Sequence, residues 1–379
     1  MISFLSPQEV IEKLFNHMVE GYDRDTYPAI DVVYQFFFSV EGEVLPYFIE
    51  VKEGEAAAKK GKHPKPTVTI STPLRVWLDI ANGSLNPIWG LITRRYTLKG
   101  GIRYLRLMPK LFRVEREISE LTHILEGEAD EGKTAWRKPA RILLLQGAPR
   151  AQEGFTEFYI DPFLKGISST GAVVEKVYLA KQKIKPCRGC FSCWTDTPGK
   201  CVQRDDMEEL LKRLEEADLI IYAFPLYADS TPGILKNVLE RQIPRVYPYM
   251  KPYKNLTRHP RRHLKRQYIF IFAICGFPEK RHFDPVLEMF RAHARNLHAP
   301  LIGAILRPGA MAFYLDPTQY FNLVHVHDAL KEAGRQLVER GRVNKKLLRT
   351  ISRTYGQKAI WQKNANIFWY NEQRKDQRS

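Results

Sequence analysis

Ala140-Arg141-Ile142-Leu143-Leu144-Leu145-Gln146-Gly147-Ala148-Pro149-Arg150-Ala151-Gln152-Glu153-Gly154-Phe155-Thr156 is the stretch that decides the fold. Its first part, Ala140 to Gln146, is a continuous apolar run, the pattern of a strand buried on both faces. Its second part breaks that run with Gly147, Pro149 and Gly154 and leads into an amphipathic helix. The alternation then continues. Ala172–Leu179, Asp218–Phe224, Gln267–Cys275 and Leu301–Leu306 read as four more strands, with helical spacing between and after them. Asp205 and Asp206 are placed to cap the helix through Leu210 and Leu214. Thr231-Pro232 is placed to open the helix Gly233–Arg241, and Val324–Arg340 reads as the last helix. Strands alternating with helices predict an α/β unit over 139–341, a doubly wound five-stranded parallel sheet.

In such sheets ligands bind beyond the carboxyl ends of the strands. Three loops are expected there. Gly147–Thr156 runs into a helix N-terminus, where backbone N–H groups and the helix dipole favour a phosphate. It lacks the Gly-Lys-Ser/Thr ending of a Walker loop. Phe224–Gly233 carries Pro225, Leu226, Tyr227 and Ser230, which suit a flat ring and its carbonyls. Cys275-Gly276-Phe277 has a small residue where backbone can approach a ligand. A phosphate cradle with two ring-contacting loops points to flavin mononucleotide (FMN). No proton-transfer residue is nominated, because a flavin mainly needs orientation and tuning from its protein.

After the second strand comes Cys187-Arg188-Gly189-Cys190-Phe191-Ser192-Cys193, closed by Cys201. These are four of the five cysteines in the chain. The spacing C-x2-C-x2-C-x7-C suits one compact iron–sulfur cluster. Zinc accepts four thiolates too, and redox or structural thiols are the third reading. Thiols gathered in one loop, not spread as a disulfide frame, fit a reducing cytoplasm.

Residues 1–112 read as a smaller α+β unit. Ser6-Pro7 starts a helix to Tyr22, Ile30–Val40 and Val44–Val51 form a hairpin, and Thr67–Ser71 is a third strand. Helices follow from Pro73, from Asn86-Pro87 and over Ile102–Phe112, the first of them closed by Asn82-Gly83. Residues 113–138 read as one more helix and an acidic, Gly-interrupted linker, with the boundary near residue 130. Residues 342–379 form a basic, aromatic C-terminal tail.

The chain has 379 residues and a formal net charge of +17. That excess is local: residues 241–267 carry nine Lys/Arg and no acid, and residues 342–379 carry ten Lys/Arg against two acids. Such runs read as solvated faces, or as docking surfaces for a nucleotide phosphate, a lipid headgroup or an acidic redox partner. No nucleic-acid motif accompanies them. No apolar run approaches the ~20 residues of a spanning helix. The stretch Tyr247–Arg266 is too long for an ordinary connection. It is expected as a flap over the flavin, with Arg261, Arg262 or Lys265 near a nucleotide phosphate.

Two family resemblances follow from these residues. The opening helix, His63-Pro64-Lys65-Pro66-Thr67-Val68-Thr69-Ile70, Trp77–Pro87, Tyr96–Gly100 and Leu107–Phe112 resemble the sterol carrier protein family. That implies an apolar tunnel for a lipid or other hydrophobic molecule. Residues 140–341 resemble the flavodoxin-like NADPH-dependent FMN reductases, through Gly147–Arg150 with Gly154 and Thr156, Pro225–Tyr227, and Thr231–Asn237 with Arg241. Phe155 stands where that family usually has Asn or Ser. The cysteine motif is similar to that of the iron–sulfur flavoproteins within it. The resemblance implies FMN at Gly147, Pro149, Arg150, Gly154, Thr156, Pro225, Leu226, Tyr227, Ser230, Cys275, Gly276 and Phe277. It also implies a [4Fe-4S] cluster on Cys187, Cys190, Cys193 and Cys201, lying beside the flavin on the same rim. The expected activity is NAD(P)H-dependent flavin oxidoreduction by a homo-oligomer. The competing expectation is a lipid carrier whose flavodoxin-like half is a non-catalytic sensor.

Overall fold

Residues 6–24, 30–40, 42–81, 84–112, 136–253, 255–263, 265–315, 320–354 and 358–375 are described by the computed structural model. They fall into two units, Met1–Thr122 and His123–Ser379. The expected helix over residues 114–125, the acidic linker after it and the Asn82-Gly83 helix end lie outside the described residues.

In the first unit, α1 (Pro7–Glu20) begins with a capping box: the Glu9 N–H donates to the Ser6 hydroxyl, and the Ser6 N–H donates to the Glu9 carboxylate. The strands β1 (Val32–Val40) and β2 (Glu43–Lys52) pair antiparallel as the expected hairpin. There follow β3 (Glu55–Lys60), β4 (Val68–Pro73), α2 (Leu74–Ala81), α3 (Pro87–Ile92), β5 (Thr97–Lys99) and α4 (Ile102–Leu111). The sheet order is β3-β2-β1-β4-β5. Leu45, Tyr47, Ile49 and Val51 all turn to the core, where Phe15 meets Phe36 edge-on at 5.0 Å and Trp77 meets Phe36 at 4.9 Å. The sequence reading omits β3, Glu-Ala-Ala-Ala-Lys-Lys. Ala, Glu and Lys are poor strand formers, and this strand sits at the sheet edge, where lysines discourage further pairing.

In the second unit the first described residue is Trp136, whose indole N–H donates to the Val338 carbonyl at 3.0 Å and whose ring packs on Tyr268. Its elements are β6 (Arg141–Gln146), α5 (Phe155–Ser168), β7 (Val173–Tyr178), α6 (Met207–Glu216), β8 (Leu219–Pro225) and α7 (Gly233–Glu240). Next come a small hairpin, β9 (Lys251–Tyr253) and β10 (Leu256–Arg258), then β11 (Tyr268–Ile274), α8 (Asp284–Asn296) and β12 (Leu301–Arg307). The chain ends with α9 (Ala312–Leu315), α10 (Tyr320–Arg340), α11 (Lys345–Ser352) and α12 (Lys358–Lys375). The five long strands are parallel, in the order β12-β11-β8-β6-β7. Counted along the chain that order is 2-1-3-4-5, the flavodoxin-like doubly wound arrangement.

Alternation along each strand feeds two cores. Leu143, Leu145, Ile220, Tyr222 and Phe224 face α6, α7 and α8, while Ile142, Leu144, Leu219 and Ile221 face α5, α10 and α11. Each fully buried Leu or Ile contributes about 1.5–3 kcal/mol relative to exposure, so the unbroken apolar run is the economical way to cover both faces. The tail is part of this unit: Ile351 of α11 is fully buried, and Arg307 donates to the Ile351 and Arg353 carbonyls. No helix among the described residues is long and apolar enough to cross a membrane.

Helices α5 and α10 touch through glycines. A Cβ on Gly334 would lie 2.1 Å from the Phe163 carbonyl oxygen, and one on Gly166 would lie 1.8 Å from that of Lys331. Gly334→Ala must therefore push the helices apart, with an expected cost of about 2–3 kcal/mol. Gly233→Ala, with open space around its position, should stay within about 0.5 kcal/mol. Urea unfolding of the two variants, followed on the transition of the second unit, checks the contrast.

Candidate functional site

Gln146 builds the first loop from below. It is fully buried at the end of β6, its amide donates to the Ala151 carbonyl at 2.8 Å, and its side-chain oxygen accepts from the Ala148 N–H at 3.0 Å. The loop then enters α5 through Gly154, which has no side chain to accept the amides of the first turn. Those amides and the helix dipole therefore favour an outside anion.

The second loop follows β8. Tyr227 and Ser230 exchange backbone hydrogen bonds at 3.0 Å around Ala228 and Asp229, both with positive φ. That tight turn aims Tyr227 outward, 53% exposed. The third loop follows β11. Phe277 N–H donates to the Cys275 sulfur at 3.4 Å, and burial pushes the Cys275 thiol pKa up, so it stays a neutral thiol near pH 7. His282 ties the two loops together, with Nδ1 3.0 Å from Asp229 and its ring 4.8 Å from that of Phe277.

Between these loops lies a cavity of about 540 Å³. It sits beside β6 and β8, where the strand order reverses and ligands of such sheets bind. Of the nominated residues, Pro149, Arg150, Gly154, Thr156, Pro225, Leu226, Tyr227, Cys275, Gly276 and Phe277 line it. Gly147 and Ser230 do not. Gly147 is turned away, donating to the Ala223 carbonyl at 2.7 Å and backing onto Leu235, while Ser230 closes the base of its turn. The sequence reading leaves out Ala310 and Met311, from the loop after β12, and Trp369 of α12. The carboxyl-end rule points to the first two; nothing in the sequence points to Trp369. Thr231, expected as the α7 cap, is not one. Pro232 holds that position, and the Thr231 hydroxyl is buried with no partner among the described residues.

The four clustered cysteines occupy a loop without helix or strand. It is held by two carboxylates: Asp206 accepts from the Lys183 N–H at 2.7 Å and Asp205 from the Lys185 N–H at 3.0 Å. Asp205 also takes a two-pronged hydrogen bond from Arg241, at 2.8 and 2.9 Å, with both side chains at most 3% exposed. Burial alone would raise the Asp205 carboxyl. The Arg241 guanidinium and the backbone N–H groups outweigh it and hold the pKa below the usual carboxylate range. Arg241, one of the residues that carry the family resemblance, thus serves the cysteine loop.

Cys187, Cys190, Cys193 and Cys201 line one small hollow with Arg241, and all are free thiols. Hydrogen bonds from Ser192 lower the Cys190 pKa, while burial and the three neighbouring thiols raise that of Cys193. The donor chemistry fits a thiolate-ligated centre. The hollow between them is about 20 Å³, room for roughly one water. Among the described residues no three His, Cys, Asp or Glu side chains are gathered closely enough to hold a metal ion.

The hollow and the cavity have no lining residue in common. The hollow abuts Glu240 and Arg241 at the far end of α7, whereas the cavity loops meet the start of that helix. The helix between them, α7, has eight residues and is about 12 Å long. The expected flap is displaced. The described part of that stretch carries the β9–β10 hairpin and meets the cysteine loop, with the Trp194 indole donating to the Val246 carbonyl and its ring 4.9 Å from that of His259. Lys265 pairs with Asp218 at the amino end of β8, the rim opposite the cavity.

Removing one partner of a buried pair strands the other. Arg241→Met should cost about 3–5 kcal/mol locally and raise the reactivity of the four thiols toward a thiol reagent at least tenfold. Because the Asp205 pKa is lowered on folding, its stabilising contribution is present at neutral pH and above the usual carboxylate range. It is lost as pH falls through the lowered value. Thiol reactivity in the wild type should therefore stay flat from pH 7 to 5 once corrected for thiolate fraction.

Comparison with known proteins accords with this geometry. Residues 140–306 match the family model described as NADPH-dependent FMN reductase, and residues 15–113 match the SCP-2 sterol transfer family. An iron-sulfur flavoprotein of Archaeoglobus fulgidus is 39% identical over 98 residues, 26% of this chain and 43% of that protein. The iron-sulfur flavoprotein MJ1083 of Methanocaldococcus jannaschii is 35% identical over 104 residues, 27% of this chain and 52% of that protein. The chain thus spans about half the length of the curated relatives it matches. Among solved structures, an FMN-dependent NADH-azoreductase from Bacillus anthracis in complex with FMN has 15% identity and a TM-score of 0.40, covering 53% of this chain and 100% of that one. In sequence, then, this chain joins a segment that matches the SCP-2 sterol transfer family to one that matches the NADPH-dependent FMN reductase family.

Proposed function

We propose that the second unit is an NAD(P)H-dependent FMN oxidoreductase and that the first unit binds a hydrophobic small molecule or lipid. The observation that carries the first half is the cavity at the strand-order reversal, with an amide-rich helix start at one end and exposed aromatic rings at the other. In this reading Arg150, Thr156 and the first-turn amides of α5 hold the flavin phosphate. Pro225, Leu226, Tyr227 and Phe277 border the ring and exclude water from its faces, while Gly276 lets backbone come close. FMN, when bound, accepts hydride from reduced nicotinamide and releases electrons singly or in pairs. The Cys275 thiol is a neutral neighbour of the ring and moves no proton.

The family match and the unshifted register of β6 against β8 both support this assignment. The four cysteines are the residues that would hold a [4Fe-4S] centre, and the names of the matched relatives support it. For the first unit, support comes from the SCP-2 match and from the Trp77 indole N–H, which is buried in the core with no acceptor among the described residues. An oxygen-bearing end of an apolar ligand would supply one.

Anaerobic purification followed by flavin, iron and sulfide analysis tests the reading. We expect about one FMN per chain, since the cavity falls in the size range of a cofactor pocket, and bleaching of the flavin by NADPH. Cys187→Ser with Cys190→Ser should abolish bound iron and sulfide and leave FMN in place. A colourless protein that takes up lipid but no FMN would establish the carrier reading instead.

A further inference from the structure

We infer that α12, which lies outside both family matches, forms one wall of the flavin site, with Trp369 as a flavin-contacting residue. The inference rests on the FMN reading above. Trp369 lines the cavity together with Arg150, Phe155 and Met311, on the side of the phosphate loop. It is held there at two points. At the start of α12, Lys358 pairs with Glu279, which follows the third cavity loop, and holds that carboxyl below its usual range. Further along, Phe368 packs edge-on to Tyr314 of α9 at 5.4 Å, and Tyr314 packs edge-on to Phe155 at 5.9 Å. Lys358 and Trp369 are eleven residues apart, about 16 Å of helix, so α12 reaches from the ring-side loop to the phosphate-side loop.

The same arrangement accounts for Phe155. That side chain cannot give the phosphate a hydrogen bond, but it anchors the aromatic chain that carries α12. A groove of about 900 Å³ lies on the other side, between α5 and α12, and shares Arg150, Gly154, Phe155, Met311 and Trp369 with the cavity. Phe155 and Trp369 are thus part of the partition between the flavin cavity and a solvent-open groove. Loss of the Trp369 ring opens the cavity sideways. The exposed pair Lys358–Glu279 should matter less than the aromatic contact, because solvent screens it.

The test is the rate of FMN release from anaerobically prepared protein, followed by recovery of free flavin fluorescence. Trp369→Ala should speed release about tenfold, and Trp369→Phe should restore most of the retention. Lys358→Glu should speed it up to a few-fold, with reversal by the added change Glu279→Lys. Circular dichroism and thermal unfolding check that Trp369→Ala, at a half-exposed position, keeps the fold. Wild-type protein that retains FMN while Trp369→Ala releases it at the same rate would overturn this inference and leave the flavin reading standing. Wild-type protein that binds no FMN would remove both.

Discussion

The second unit depends on one topological constraint: neighbouring parallel strands whose chains depart to opposite faces. After β6 the chain turns to the face covered by α5 and α10; after β8 it turns to the face covered by α6, α7 and α8. Backbone pairing holds the two strands in register up to the point of divergence, from Ile142 opposite Leu219 to Gln146 opposite Ala223. Beyond it neither loop can fill the gap left by the other, and a crevice opens. The two cores on either side are apolar and continuous, so the crevice is the part of the sheet where backbone amides stay available to a ligand. The cavity is therefore a consequence of chain routing before any side chain is chosen for chemistry.

The two candidate centres solve opposite problems. Around the cavity the backbone is pre-shaped by a few buried polar groups, chiefly Gln146, and the lining is mostly apolar. The cysteine segment has no ladder or helix to satisfy its backbone, so carboxylates of Asp205 and Asp206 take over that role. A desolvated carboxylate needs a matched cation, and Arg241 supplies it from the end of α7. That requirement fixes where the thiols go. The loop follows the arginine down the flank of α7, so the sulfurs leave the rim from which their strand emerges.

Much of this was legible in the residues. Four strands of the second unit declare themselves by apolar runs and β7 by its valines, and their alternation with helices sets the layering. The cavity loops follow from the carboxyl-end rule, and ten of the twelve nominated flavin residues line the cavity. The residues that lie elsewhere share a cause: tertiary partners override local pattern. Gly147 and Ser230 belong to the right loops but are spent on backbone pairing. Lys265 is drawn to Asp218, which is distant in sequence. β3 carries no strand signal because an edge strand in this sheet can be built from Ala and Lys. Trp369 belongs to a tail whose basic, aromatic composition gives no register.

Trp136 carries a consequence of another kind. Its ring fills the space under Gly341, where a Cβ would lie 2.4 Å away, and its N–H is spent on Val338. Gly341 also has a positive φ of 65°, so a side chain there would be strained as well as obstructed. One indole therefore sets the residue type allowed some two hundred positions downstream, and the two sites can change only together.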